Sequence, residues 1–110
     1  MNIKYNLELD LFDAIVTQLR VRFPEARYKQ LQVMACVFLY PNYHDAIVKK
    51  GLSKNKQGAM QQIKTLYEEE FLENRTNEDG TKGKKVLRDD IAKLLQKSEY
   101  QITINVKFKN

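Results

Sequence analysis

Between Leu31 and Leu39 only Gln32 interrupts a run of apolar residues, and Pro41 follows two positions later. Leu31, Val33, Met34, Cys36, Val37, Phe38 and Leu39 are spread nearly all round a helix rather than along one stripe. A helix of that kind has no face to turn to water, so it must stand at the centre with other elements packed around it. The pattern predicts a helix from Pro24 or Glu25 to Tyr40. Pro24 suits a first helical turn, where its missing N–H is not needed, and Pro41 ends the helix because the residue before a proline leaves the helical region. A chain of 110 residues holds one such core and little else, so a single domain spanning 1–110 is expected.

The segments around this centre have their own signatures. Ile3, Tyr5, Leu7 and Leu9 alternate with Lys4, Asn6 and Glu8, which predicts a strand over residues 2–9. Asp10 then reads as an N-cap for a first helix running to about Arg22, with Leu11, Phe12, Ile15, Val16 and Leu19 on its inner side. Asn42 caps a short third helix with Ala46, Ile47 and Val48, which ends at Lys49, Lys50 and Gly51. Ser53 caps a fourth helix from Lys54 to about Glu70, with Ala59, Met60, Ile63, Leu66 and Tyr67 facing inward. Phe71–Arg75 and Lys84–Arg88 read as the arms of a hairpin, with the Asp79-Gly80 step and Gly83 supplying turn chemistry. Asp89 or Asp90 caps a fifth helix to about Lys97. A second alternation over 101–109 sets Ile102, Ile104, Val106 and Phe108 against Gln101, Thr103, Asn105 and Lys107.

Hydrophobic residues at 43% and charged residues at 30% fit a globular chain, not a disordered one. No apolar run approaches the roughly 18 residues of a membrane span, and the start lacks a secretory pattern. The one cysteine, Cys36, cannot make an internal disulfide and points to a reducing, cytoplasmic setting. The net charge of +5 is unevenly placed: residues 1–19 carry −2, 20–64 carry +7, 65–80 carry −5 and 81–97 carry +4. A fold that joins the two basic blocks would suit an anionic partner.

A short helix, a tight turn at Gly51, a longer helix with a polar outer face and a basic hairpin together make a winged helix-turn-helix arrangement of the α+β class. Its core would lie at about 42–70 and its wing at about 71–88. Such a turn lets one helix lie across a duplex while the next enters the major groove. Ser53, Lys54, Asn55, Gln57, Gln61 and Gln62 carry the donors and acceptors that match base edges, and Gly58 would allow close approach. Lys49, Lys50, Lys56, Lys64, Lys82, Lys84 and Lys85 are the expected backbone contacts.

Gly51-Leu52-Ser53, Ile63, Leu66, Glu68-Glu69, Phe71-Leu72-Glu73-Asn74-Arg75, Asp79 and Val86-Leu87-Arg88 give a pattern that resembles the core of MarR- and PadR-like winged-helix regulators, over about Leu31 to Leu95. The resemblance implies a DNA-reading helix that leads straight into the wing. Glu70 stands where that family usually has glycine, which points to a different helix-to-wing turn. Gln57 stands about where a helix-turn-helix buries an aliphatic residue, and both ends of the chain read as strands where the family dimerises through helices.

The terminal strands can pair within one chain, covering the first and fifth helices. Alternatively they can form a dimer interface from Ile3, Tyr5, Leu7, Ile104, Val106 and Phe108. A dimer would place two reading helices about 34 Å apart, one DNA turn, on a pseudo-palindromic site. The leading expectation is thus a small dimeric transcriptional regulator that binds double-stranded DNA. A plasmid or phage replication or partition protein would use the same docking physics. The acidic stretch Glu68–Asp79 favours a rival reading, a winged helix of a mobile element that contacts or inhibits another protein. No nucleophile–base pair, Cys/His metal spacing, dinucleotide fingerprint or phosphate loop is present, so no enzyme, metal or cofactor is expected. His44 reads as a cap or surface residue, and Cys36 as a small core residue.

Overall fold

A computed structural model of the chain describes residues 7–96, with side chains described from Leu11 onward. Its elements are α1 (Leu7–Arg22), α2 (Tyr28–Leu39), α3 (Tyr43–Lys49), α4 (Lys56–Glu68), β1 (Leu72–Thr76) and β2 (Lys82–Leu87), followed by a helix over 89–96, here α5. The described part is a small α+β domain of five helices and one two-stranded antiparallel hairpin.

α2 is the central element its apolar run demands. Leu31, Val33, Met34, Ala35, Cys36 and Val37 are all buried. Around them close Phe12, Ile15, Val16 and Leu19 from α1, Tyr43 and Ile47 from α3, and Ala59, Ile63 and Leu66 from α4. Leu72 and Leu87 from the hairpin, with Ile91 and Leu95 from α5, complete one continuous core. Burial of that apolar surface is the main force holding the elements together.

Several boundaries differ from the sequence expectation. Residues 7–9 are helical, so the strand expected over 2–9 does not reach them. The reason lies in their spacing: Leu7 is four residues before Leu11 and Leu9 three before Phe12, so the leucines that alternate also extend the helical stripe. Leu7, expected at a strand-built dimer interface, is therefore part of a helix. Residues 2–6 and the second strand at 101–109 lie outside the described residues, and with them Ile3, Tyr5, Ile104, Val106 and Phe108. Pro24 and Glu25 do not open α2 but form a turn, closed by the Ala26 N–H donating to the Phe23 carbonyl at 3.1 Å. α2 starts after Arg27, whose N–H donates to the Gln30 side chain at 3.0 Å.

Asn55, not Ser53, is the N-cap of α4; its Oδ1 accepts from the Gly58 N–H at 2.8 Å. The helix thus begins two residues later than expected, Ala59 takes the inner position and Gln57 is exposed. Met60 and Tyr67, expected inside, are 54% and 36% exposed. They lie about a quarter turn from the direction set by Ala59, Ile63 and Leu66, at the edge of the buried stripe.

Two helix ends position the site. After α3 the Leu52 N–H donates to Ile47 and the Gly51 N–H to Val48, with Gly51 at φ +74°. After α4 the Phe71 N–H donates to Leu66 and the Glu70 N–H to Tyr67, with Glu70 at φ +69°. Both are the paired-bond helix stop that a left-handed residue makes possible. Glu70 adopts that conformation despite its side chain. The hairpin pairs Leu72 with Leu87, Glu73 with Val86 and Asn74 with Lys85, then shifts register before Thr76 meets Lys82.

Candidate nucleic-acid interface

The outer face of α4 follows from its inner one. With Ala59, Ile63 and Leu66 turned to the core, Gln57, Gln61 and Lys64 fall on the opposite side and are exposed. The hairpin stands beside this face. Between them runs a groove lined by Gln57, Met60, Gln61, Lys64, Tyr67 and Glu68 from α4, Tyr43 and His44 from α3, and Gly83, Lys84 and Lys85 from β2.

The expected base-reading residues divide into two groups. Lys54, Gln57 and Gln61 are exposed. Ser53, Asn55, Gly58 and Gln62 instead build the joint between α3 and α4. The Ser53 hydroxyl donates to the Asn55 carbonyl at 2.9 Å, and Asn55 caps the helix. The Gln62 amide donates to the Leu52 carbonyl at 2.8 Å, and its Oε1 is buried with no hydrogen-bond partner among the described residues. A Cβ on Gly58 would come within 2.3 Å of the Ser53 Oγ, so Gly58 leaves room for its own chain's serine.

The lysines divide as well. Lys64, Lys84 and Lys85 line the groove, and the Lys56 charge is felt at His44 on its floor. Lys84 donates to the Pro41 carbonyl and lies 4.6 Å from the Tyr43 ring centre, while Lys85 lies 5.0 Å from that of Tyr67. These contacts of cation with aromatic face give each lysine a preferred position over the groove. Lys82 is exposed at the far end of β2. Lys49 and Lys50 line a different cleft, with Asp45, Tyr40 and Pro41. Lys50 packs over the Phe12 ring at 4.2 Å. The fold therefore joins part of each basic block, not the whole.

His44 registers the electrostatics of the groove. Its pKa is pushed down first by burial, then by the cations Lys56 and Lys84, against the pull of Asp45, with Lys85 adding to the downward push. Its ring contacts that of Tyr43 at 4.6 Å between centres. Burial pushes the Tyr43 phenol up, against the Lys85 backbone amide.

The acidic segment lies mostly on another side. Glu68, Glu70, Glu73 and Arg88 line a separate cleft that shares only Tyr67 and Glu68 with the groove. Several of these carboxylates are structural. Glu69 accepts from the Gln30 amide at 2.9 Å. Glu73 accepts from the Asp89 N–H at 3.0 Å, which places a carboxylate at the start of α5, where the helix dipole favours it. Arg88 pairs with Asp90 at 2.6 Å and donates to the Glu70 carbonyl at 3.1 Å. Cys36 lies in the core, its thiol pushed up to about 11 by burial in spite of Lys50.

Sequence reasoning missed His44, Met60 and Tyr67 as groove residues. For Met60 and Tyr67 the signal was present in the quarter-turn offset; for His44 no local signal exists, since the hairpin makes it a groove residue. Among the described residues no helix is long and apolar enough to cross a membrane, and no group of three or more His, Cys, Asp and Glu could hold a metal ion. Comparison of the chain with protein-family models, curated proteins and solved structures finds no match.

Proposed function

We propose that this chain is a winged helix-turn-helix protein that binds double-stranded DNA, with α3 and α4 as the helix-turn-helix and β1–β2 as the wing. It acts as a small transcriptional regulator, as a dimer that sets two copies of α4 on adjacent turns of a pseudo-palindromic site, and is a binding protein rather than an enzyme. The observation that carries this reading is the α4–hairpin groove. Its uncharged amides, Gln57 and Gln61, are flanked by Lys64, Lys84 and Lys85, and the charge of Lys56 acts on His44 in the same groove. Amides suit base edges and lysines suit phosphates. The resemblance to MarR- and PadR-like regulators supports the same docking, and the structural roles of Ser53, Asn55, Gly58 and Gln62 narrow the reading face to Lys54, Gln57 and Gln61.

The test is fluorescence anisotropy of the protein against a mixed-sequence 30-mer duplex across a salt series. If Lys56, Lys64, Lys82, Lys84 and Lys85 each neutralise a phosphate, log affinity falls against log salt with a slope of about −4 to −5. No binding at low salt overturns the proposal. One observation favours a second reading, a protein-contact module of a mobile element: Glu68, Glu70 and Glu73 line a cleft next to the groove and would repel a phosphate backbone that reached them. In that case the protein binds no duplex, and a pull-down recovers a partner that is lost when Glu70 and Glu73 are replaced by lysine.

A further inference from the structure

Met60 makes no contribution to the buried core that its neighbours Ala59 and Ile63 build. Its side chain is 54% exposed on the outer half of α4 and lines the groove between Gln57 and Gln61 on one side and the hairpin on the other. A long apolar side chain at the border of a polar face sets an apolar surface beside the amides.

We propose that Met60 is a specificity-determining residue that packs on the 5-methyl group of thymine, so that α4 selects A·T pairs. The proposal rests on the DNA-binding reading above and names what that surface reads. The chemistry of the bases and the placement of Met60 converge on it. The thymine methyl is the one apolar group that base pairs present in the major groove. A methionine side chain is unbranched and polarizable, so it adapts to a methyl without a fixed rotamer. Gln57, three residues before Met60, is its exposed amide neighbour on the same stripe, and Gln61 lines the same groove further round the helix. A glutamine amide forms its paired hydrogen bonds with adenine N6 and N7, the partner of that same thymine. Arginine, which pairs with guanine through two hydrogen bonds, is absent from α4, and its two lysines, Lys56 and Lys64, are assigned to phosphates.

The test separates this proposal from the one beneath it. Duplexes that bind are first selected from a random pool, and salt-dependent binding is measured. Thymines in the best site are then replaced one at a time by deoxyuridine, which removes only the methyl. Loss of affinity of about fourfold at one or two positions is expected, the effect of one buried methyl group. Met60→Ala is expected to lose about the same factor on the thymine duplex and to become indifferent to the replacement, while Met60→Leu keeps most of the discrimination. Equal binding of thymine and deoxyuridine duplexes by the unmodified protein, or full discrimination retained by Met60→Ala, overturns the proposal while leaving DNA binding in place. Absence of any salt-dependent duplex binding overturns both. The deoxyuridine comparison on the unmodified protein needs no variant, so it does not depend on how Met60→Ala folds.

Discussion

The helix ends at Gly51 and Glu70 are the same turn made twice, with different means. Each is closed by the same two backbone bonds, all four between 3.0 and 3.1 Å, and each centres on a residue of positive φ. At the first, glycine takes that conformation freely. At the second, glutamate takes it at a cost of about 1–2 kcal/mol. The difference lies in what surrounds them. The Glu70 carbonyl accepts from the Arg88 guanidinium, and the Arg88 N–H donates to the Phe71 carbonyl, so the end of β2 grips both residues of the turn. One turn is set by its own residue, the other by its neighbours. A left-handed position is therefore not always announced by glycine.

The comparison can be broken at its base. Ile47 and Leu66 supply the buried carbonyl side of the two turns and are both fully buried. Ile47→Ala and Leu66→Ala should each lose about 3 kcal/mol in urea unfolding. A loss below about 1 kcal/mol at either would show that the two helix ends are not equally built into the core. Gly51→Ala is the next largest effect, a loss of about 1 kcal/mol from backbone conformation alone, because a Cβ there would meet no atom within 4 Å. Arg88→Ala should cost about 1 kcal/mol, less than a buried charge would, since its ion pair with Asp90 is largely exposed.

Smaller effects sharpen the contrast. Glu70→Gly relieves the strained backbone but adds freedom to the unfolded chain, so a gain of only about 0.5 kcal/mol is expected in thermal unfolding. The same substitution on top of Arg88→Ala should gain more, and strict additivity would sink the idea that Arg88 sustains the turn. The smallest effect belongs to His44, on the helix that leads into Gly51. Its pKa is lower folded than the ordinary 6.5, so the unfolded chain binds its proton more readily. Stability should fall as pH drops below about 6.5, and His44→Gln should remove that component from a pH series of urea midpoints.

Much of the frame was legible from residues. The apolar run of α2, the stop at Pro41 and Gly51, and the Asp-Gly step of the hairpin each have a local cause, and their elements fall where those causes act. Other features were ambiguous in the chain itself. Residues 7–9 satisfy both a period of two and one of 3.6, and only the helix they join decides between them. Ser53 and Asn55 are both good caps, and the choice went to the one whose side chain reaches the Gly58 N–H. What remained hidden depends on distant residues. Lys50 meets Phe12, 38 positions earlier, and Lys84 meets Pro41, 43 positions earlier. No pattern within α4 shows that Ser53, Asn55 and Gln62 would turn toward their own backbone.

The two ties on β2 have a mechanical consequence. Lys84, within the strand, holds the carbonyl of Pro41, where α2 gives way to α3. Arg88, one residue past its end, holds the carbonyl of Glu70, where α4 gives way to β1. A strip tied at two points resists swinging about either. The spacing between the hairpin and α4 is thus referred at both points to backbone carbonyls of other elements, so the groove is built more like a caliper than a clasp.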